Sequence, residues 1–85
     1  MRTKLEIRIR IYELEEIMNT ALTRYYRGDD SEEMFKEVYS AVWDEMRGLY
    51  WVLGNSGIEA TKIVAEKVTK MSDEIKATME ATMTE

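Results

Sequence analysis

Carboxylates are the most abundant side chains in this 85-residue sequence that could support acid–base catalysis. Glu13 and Glu16 share one face of a predicted helix, as do Glu33 and Glu37, but both pairs lie on the polar side. Acid–base catalysis requires such pairs in a pocket, where burial moves their pKa values apart. The chain has no histidine to serve as a general base or to activate a serine, and no cysteine for thiolate chemistry. We therefore predict that the protein is not an enzyme.

The sequence also lacks the residue patterns that hold metal ions. The acidic segment 29–33, Asp-Asp-Ser-Glu-Glu, does not have the alternating ligands and the glycine of a calcium loop. Di-iron helical bundles use Glu-x-x-His motifs, which a chain without histidine cannot form. Capping of a helix explains the acidic segment better. We expect neither a metal nor another cofactor.

Arginine and aromatic side chains are the best candidates for contacts with a partner or a ligand. Arg24, Tyr26 and Arg27 could hold a protein or an anion, because guanidinium groups match phosphates and Arg and Tyr are frequent at binding hot spots. Trp43 belongs to an aromatic ridge of the second predicted helix, and Trp51 points toward the polar side of that helix. Two simpler roles remain open: compensation of a helix dipole for the arginines and core packing for the aromatic rings.

Helices must position these residues, because caps and glycines divide the chain into three helical segments. Capping boxes at residues 3–6 and 56–59, acceptors at 29–31, and glycines at 28 and 54 mark their ends. The connections are about three residues long, which makes consecutive helices antiparallel neighbours. The sequence predicts one all-α domain, residues 1–85, as an up-down-up three-helix array completed by homo-oligomerisation. Its predicted helices span about 4–27, 31–53 and 57–82.

Residues 5–12 support a minor alternative to the first helix. The segment alternates apolar and polar side chains and is rich in isoleucine, which is typical of a β-strand. No other segment of the chain offers a partner strand, so such a strand could pair only with the same segment of a second copy.

The first predicted helix has apolar side chains on two opposite faces. Its main stripe follows the spacing of a helix core and comprises Ile7, Ile11, Leu14, Met18, Ala21, Leu22 and Tyr25. Leu5, Ile9 and Tyr12 form a second ridge almost opposite this stripe. Leaving them in water would forfeit about 1.5–3 kcal/mol each, which is comparable with the stability of a whole small domain. We therefore predict that this ridge contacts a second copy.

Gly48 is the fourth residue predicted to lie at the self-association surface. Glycine in the middle of a helix costs about 1 kcal/mol relative to alanine, so close approach of another backbone, or a kink, would explain it. The same helix has a broad apolar arc that comprises Met34, Phe35, Val38, Val42, Met46, Leu49, Val52 and Leu53. Glu45 falls inside this arc and should have a basic partner or lie at the edge of the array.

The net charge of −5 is unevenly distributed along the chain. Residues 1–28 carry six basic and four acidic groups, whereas residues 29–56 carry two and seven. This asymmetry favours antiparallel packing of the first two thirds of the chain, within one copy or between copies. No apolar run approaches the roughly 18 residues that span a bilayer, and the charged N-terminus does not resemble a signal peptide. We expect a soluble, cytoplasmic protein.

Three functions agree with these features. The favoured one is a small homo-oligomeric protein that binds another macromolecule, such as a viral or mobile-element accessory protein or an inhibitor. The alternative is an oligomer that sequesters a nucleotide-like anionic small ligand through the arginine and aromatic residues. The third, nucleic-acid binding through the basic N-terminus, is disfavoured because acidic residues lie close to the basic ones.

Overall fold

Three α-helices joined by two short turns make up the chain in a computed structural model, which describes residues 3–83 and the side chains of residues 3–82. Helix α1 spans Lys4–Tyr26, helix α2 spans Glu32–Val52 and helix α3 spans Gly57–Met83. Every pair of helices is in contact, and the bundle measures 48 × 23 × 22 Å. The predicted all-α, up-down-up three-helix arrangement is confirmed.

Side-chain oxygens begin the helices, as the sequence predicts. The Thr3 hydroxyl accepts a hydrogen bond from the N–H of Glu6 at 3.1 Å, and the Ser31 hydroxyl accepts one from the N–H of Met34 at 3.2 Å. At the start of α3, Ser56 and Glu59 bond reciprocally, each side chain accepting from the backbone N–H of the other at 3.1 Å. These bonds satisfy backbone donors that have no partner inside the helix.

Glycine residues in a left-handed conformation end α1 and α2. Gly28 has a φ of 81° and Gly54 a φ of 105°, which other L-residues adopt only with strain. After each glycine, a backbone N–H turns back to a carbonyl in the last turn of the helix, from Asp29 to Arg24 at 2.9 Å and from Asn55 to Tyr50 at 3.2 Å. This pattern closes the helix and reverses the chain within a few residues.

Residues 5–12 are helical, so the alternative of an intermolecular strand is wrong. Ile7 and Ile11 are separated by one helical turn, and both are buried in the core at 4% and 5% exposure. A strand would place Ile9 on the same face as these two residues, yet Ile9 remains exposed. The alternation along the segment therefore reflects a helix with two apolar faces.

The hydrophobic core lies between the three helices. Its buried members come from all three and are Ile7, Ile11, Leu14, Met18, Leu22, Val42, Met46, Val64 and Val68. Pairs of contacts between the helices show their directions. Arg10 and Tyr25 of α1 contact Glu45 and Phe35 of α2, in reverse order along the chain. Glu15 and Tyr26 of α1 contact Lys67 and Ser72 of α3, in the same order. Helices α1 and α3 are parallel, and α2 runs against both. We call the end where α1 and α3 begin and α2 ends the N-terminal end of the bundle.

Glu45 has the basic partner that its place in the apolar arc predicts. Arg10 donates two hydrogen bonds to its carboxylate, from Nε to Oε2 at 2.7 Å and from Nη2 to Oε1 at 3.1 Å. Hydrogen bonding to Glu45 raises the pKa of Arg10, which keeps the guanidinium charged. The basic first third and the acidic middle third of the chain are thus joined within one copy.

Candidate functional site on the outer face of helix α1

Leu5, Ile9 and Tyr12 form one ridge on the side of α1 that faces away from the core. Their side chains are 67%, 49% and 69% exposed. They are spaced by four and then three residues, so they lie one above another on successive helical turns. We call these three residues the outer ridge. The structure brings them together, as the sequence predicts.

Charged side chains border the outer ridge. Arg8 lies on one side of it, on the flank toward α3, and Glu13 lies on the other side, toward α2. Among residues 3–82, Arg8 forms no ion pair, whereas Glu13 accepts a bond from Arg10 at 3.3 Å. Glu16 occupies the next position along the ridge and ends its apolar part. The surface is therefore a short apolar strip with opposite charges on its two flanks.

Gly48 is the predicted self-association residue that lies apart from the outer ridge. It is on α2, three residues after Glu45, and it is exposed. Apart from its two chain neighbours and the backbone of its own helix, no atom comes within 4 Å of the position that a Cβ would take there. Helix α2 is continuous through this residue, so neither a close neighbour within the chain nor a break in the helix accounts for the glycine.

Arg24, Tyr26 and Arg27 lie together at the end of α1 and are engaged within the chain. Arg24 bonds Asp30 at 3.1 Å, and Arg27 lies 3.7 Å from Asp29. The Tyr26 hydroxyl forms a hydrogen bond with the hydroxyl of Ser72 on α3, and the Lys76 ammonium lies 5.3 Å from the centre of the tyrosine ring. These contacts close the end of the bundle.

The two tryptophans do not join the arginines in one site. Trp43 is half-buried and packs against the core. Trp51 is 64% exposed and lies in the last turn of α2, at the N-terminal end of the bundle. The 21 residues of α2 separate it from Arg27 by about 30 Å. The five residues predicted to contact a partner or ligand therefore occupy three different parts of the molecule.

Other exposed apolar side chains were missed by sequence reasoning. Ile58, in the first turn of α3, is 84% exposed and lies near Trp51 at the N-terminal end of the bundle. Met34, Val38 and Val52 belong to the apolar arc of α2, but they face solvent beside α1. The width of this arc was the available signal, since two neighbouring helices cover only part of such a wide face.

The described residues contain no group of acidic side chains placed to hold a metal ion. None of the helices in that part of the chain is long and apolar enough to cross a bilayer. No family model, curated protein or solved structure matches the chain.

Proposed function

We propose that this protein is a non-catalytic binding protein that works as a homo-oligomer, with the outer ridge as the surface for a second copy. One observation carries the proposal. Leu5, Ile9 and Tyr12 are exposed on consecutive turns of α1, although the opposite face of that helix supplies much of the core. Contiguous exposed apolar side chains rimmed by charges are typical of protein–protein contacts.

The energetics support a role for the outer ridge in association. Burying each of its side chains removes apolar surface from water and contributes about 1.5–3 kcal/mol at full burial. A domain of this length is stabilised by only about 5–10 kcal/mol. Binding of a second copy to the folded form would therefore add appreciably to the stability of the fold.

The internal ion pairs favour a macromolecular partner over a small anion. Arg24 and Arg27 already contact Asp30 and Asp29, and those carboxylates would repel a phosphate. Tyr26 is held by contacts to α3. The proposal of a nucleotide-sequestering oligomer therefore has less support than binding of a protein.

The proposal is tested by sedimentation velocity and light scattering of the wild type and of a variant carrying Leu5→Gln and Ile9→Gln. Glutamine keeps a high helix propensity while removing the apolar contact. We expect the wild-type mass to rise above the 10.0 kDa of one chain as concentration increases, and the variant to remain at that mass.

Ile58→Gln is the control, because it removes an even more exposed apolar side chain, 84% exposed, from α3. Circular dichroism confirms that all three proteins are helical. A wild type that stays at 10.0 kDa throughout, or a control that dissociates as fully as the double variant, would refute the proposal.

A further inference from the structure

We infer that two copies pair through the outer ridge in parallel and in register, with Arg8 of each copy beside Glu13 of the other. This inference rests on the proposed self-association and adds its geometry. It follows from the spacing of the ridge and from the charges on its flanks.

The spacing of the outer ridge matches a heptad seam. Leu5, Ile9 and Tyr12 occupy positions d, a and d of the seven-residue repeat abcdefg, in which a and d face the partner helix. Among parallel coiled coils, leucine at d with β-branched isoleucine at a favours two strands over three or four. In register, each ridge residue contacts the same residue of the second copy.

The flanking charges favour the parallel arrangement. Arg8 occupies position g and Glu13 the following position e, and these two positions approach each other across a parallel pair. The twofold symmetry of the pair gives two such contacts. Arg8 forms no ion pair among residues 3–82 of its own chain, so its charge is available for this contact.

An antiparallel pair would be less favourable electrostatically. Positions e then face each other, which brings Glu6 of each copy toward Glu13 of the other and creates two like-charge contacts. Arg8 would face Glu15 of the second copy, but Glu15 is only 20% exposed and accepts a hydrogen bond from Lys67 at 2.7 Å. Glu13 is more available, because it is 56% exposed and its contact with Arg10 is longer, at 3.3 Å. The charges therefore favour the parallel orientation of the two copies.

Helices α2 and α3 leave the outer ridge uncovered, because it lies opposite the face of α1 that packs on them. Glu16 takes the next a position, where two carboxylates would meet, so the contact ends after about three turns. Three apolar side chains per copy make an interface below the roughly 1,200 Å² of stable complexes. The pair is accordingly weak and reversible.

Reversing a charge distinguishes the two orientations, because it changes the dimer dissociation constant in opposite directions. Glu13→Arg places an arginine opposite Arg8 in the parallel pair, and we expect the dimer dissociation constant to rise about tenfold. In an antiparallel pair the same change would place the arginine opposite Glu6 and strengthen association. Arg8→Glu is likewise expected to weaken the parallel homodimer.

Mixing the two single variants provides a second test. Each introduced side chain then faces its opposite charge, so Arg8→Glu mixed with Glu13→Arg should form a heterodimer at least as tight as the wild-type homodimer. Sedimentation velocity measures all the constants over about 10–500 μM, a range suited to small interfaces. Glu66→Arg and Lys62→Glu, exposed on α3, match the charge changes and should leave the constant unchanged.

The outcomes separate the register from the proposed function. If Glu13→Arg strengthens self-association or leaves it unchanged, or if mixing restores nothing, the parallel register is overturned while self-association through the ridge stands. If the wild type shows no self-association in this range, both are overturned. The contact of Glu13 with Arg10 is an exposed pair, and Arg10 keeps its stronger contact with Glu45, so the variant remains folded.

Discussion

At the scale of single residues, several of the charged and polar groups hold the ends of the helices. Ser56 and Glu59 illustrate this, because each satisfies a backbone N–H of the other. The hydrogen bond from the backbone N–H of Ser56, followed by interaction with its hydroxyl, lowers the pKa of Glu59. The contribution of this cap to stability is therefore complete above the ordinary pKa of glutamate and is lost as pH falls through the lowered one.

Replacing the serine should move this pKa. Ser56→Ala removes the hydroxyl and keeps the backbone N–H, so we expect the pKa of Glu59 to rise partway toward its ordinary value of 4.5. An NMR titration of the Glu59 carboxyl carbon measures the change, with Ser40→Ala, an exposed serine of α2, as the control. A Glu59 pKa that is the same in wild type and Ser56→Ala would contradict a role for the hydroxyl.

Gly48 is predicted to lie at the self-association surface, and the fold of one copy does not account for a glycine at this position. Since a Cβ at Gly48 would meet no atom within 4 Å beyond its own helix backbone and chain neighbours, alanine fits there. Gly48→Ala in the Leu5→Gln, Ile9→Gln background should therefore raise the free energy of unfolding by about 1 kcal/mol. Ala41→Gly, at another exposed position of α2, should lower it by a similar amount. Denaturant titrations measure both changes.

The same substitution tests whether Gly48 belongs to the interface. If a second copy approaches its backbone closely, Gly48→Ala in the wild type weakens self-association despite stabilising the helix. An unchanged dissociation constant would remove Gly48 from the interface and leave the outer ridge as the contact.

At the scale of elements, α1 serves two surfaces at once. Ile11 and Ile9 are two residues apart, yet one is buried at 5% exposure and the other is 49% exposed. This division explains why the segment alternates like a strand. A helix that is apolar on opposite faces and a strand that is apolar on one face give similar local patterns.

Truncating these two isoleucines should therefore have different effects. Ile11→Ala leaves a cavity in the core and should lower the free energy of unfolding by about 2–5 kcal/mol. Ile9→Ala should reduce self-association and change the unfolding of the dissociated chain much less. Thermal denaturation at low concentration and sedimentation at high concentration separate the two effects, and equal destabilisation by both variants would contradict the division.

The helices could be predicted from the sequence because their signals are local. Thr3, Ser31 and Ser56 cap the helices in the structure, and the turns follow glycines that adopt positive φ. The fate of the wide apolar arc of α2 could not be predicted in the same way. Whether Val52 is covered depends on the angle at which α1 packs, and that angle is set by contacts distant in sequence.

At the scale of the whole molecule, charge distribution predicted which segments meet but not which residues bind a ligand. The basic first third and acidic middle third of the chain indicated the antiparallel pairing that Arg10 and Glu45 make. Trp51 and Arg27 are far apart because they lie near opposite ends of α2, which rises about 1.5 Å per residue. Residue types that are both suited to binding therefore do not form one site. The outer ridge and the group of Arg24, Tyr26 and Arg27 were each predictable as one cluster, because the members of each lie within three turns at one end of α1.

The position of Trp51 would make a parallel pair bivalent. Trp51 and Ile58 are exposed at the N-terminal end of the bundle, the same end as the outer ridge. In a parallel pair both copies point in the same direction, so their two Trp51 side chains are exposed at the same end of the dimer. A partner with two matching sites would gain avidity, because its second contact forms at high effective concentration, whereas an antiparallel pair would place the two tryptophans at opposite ends.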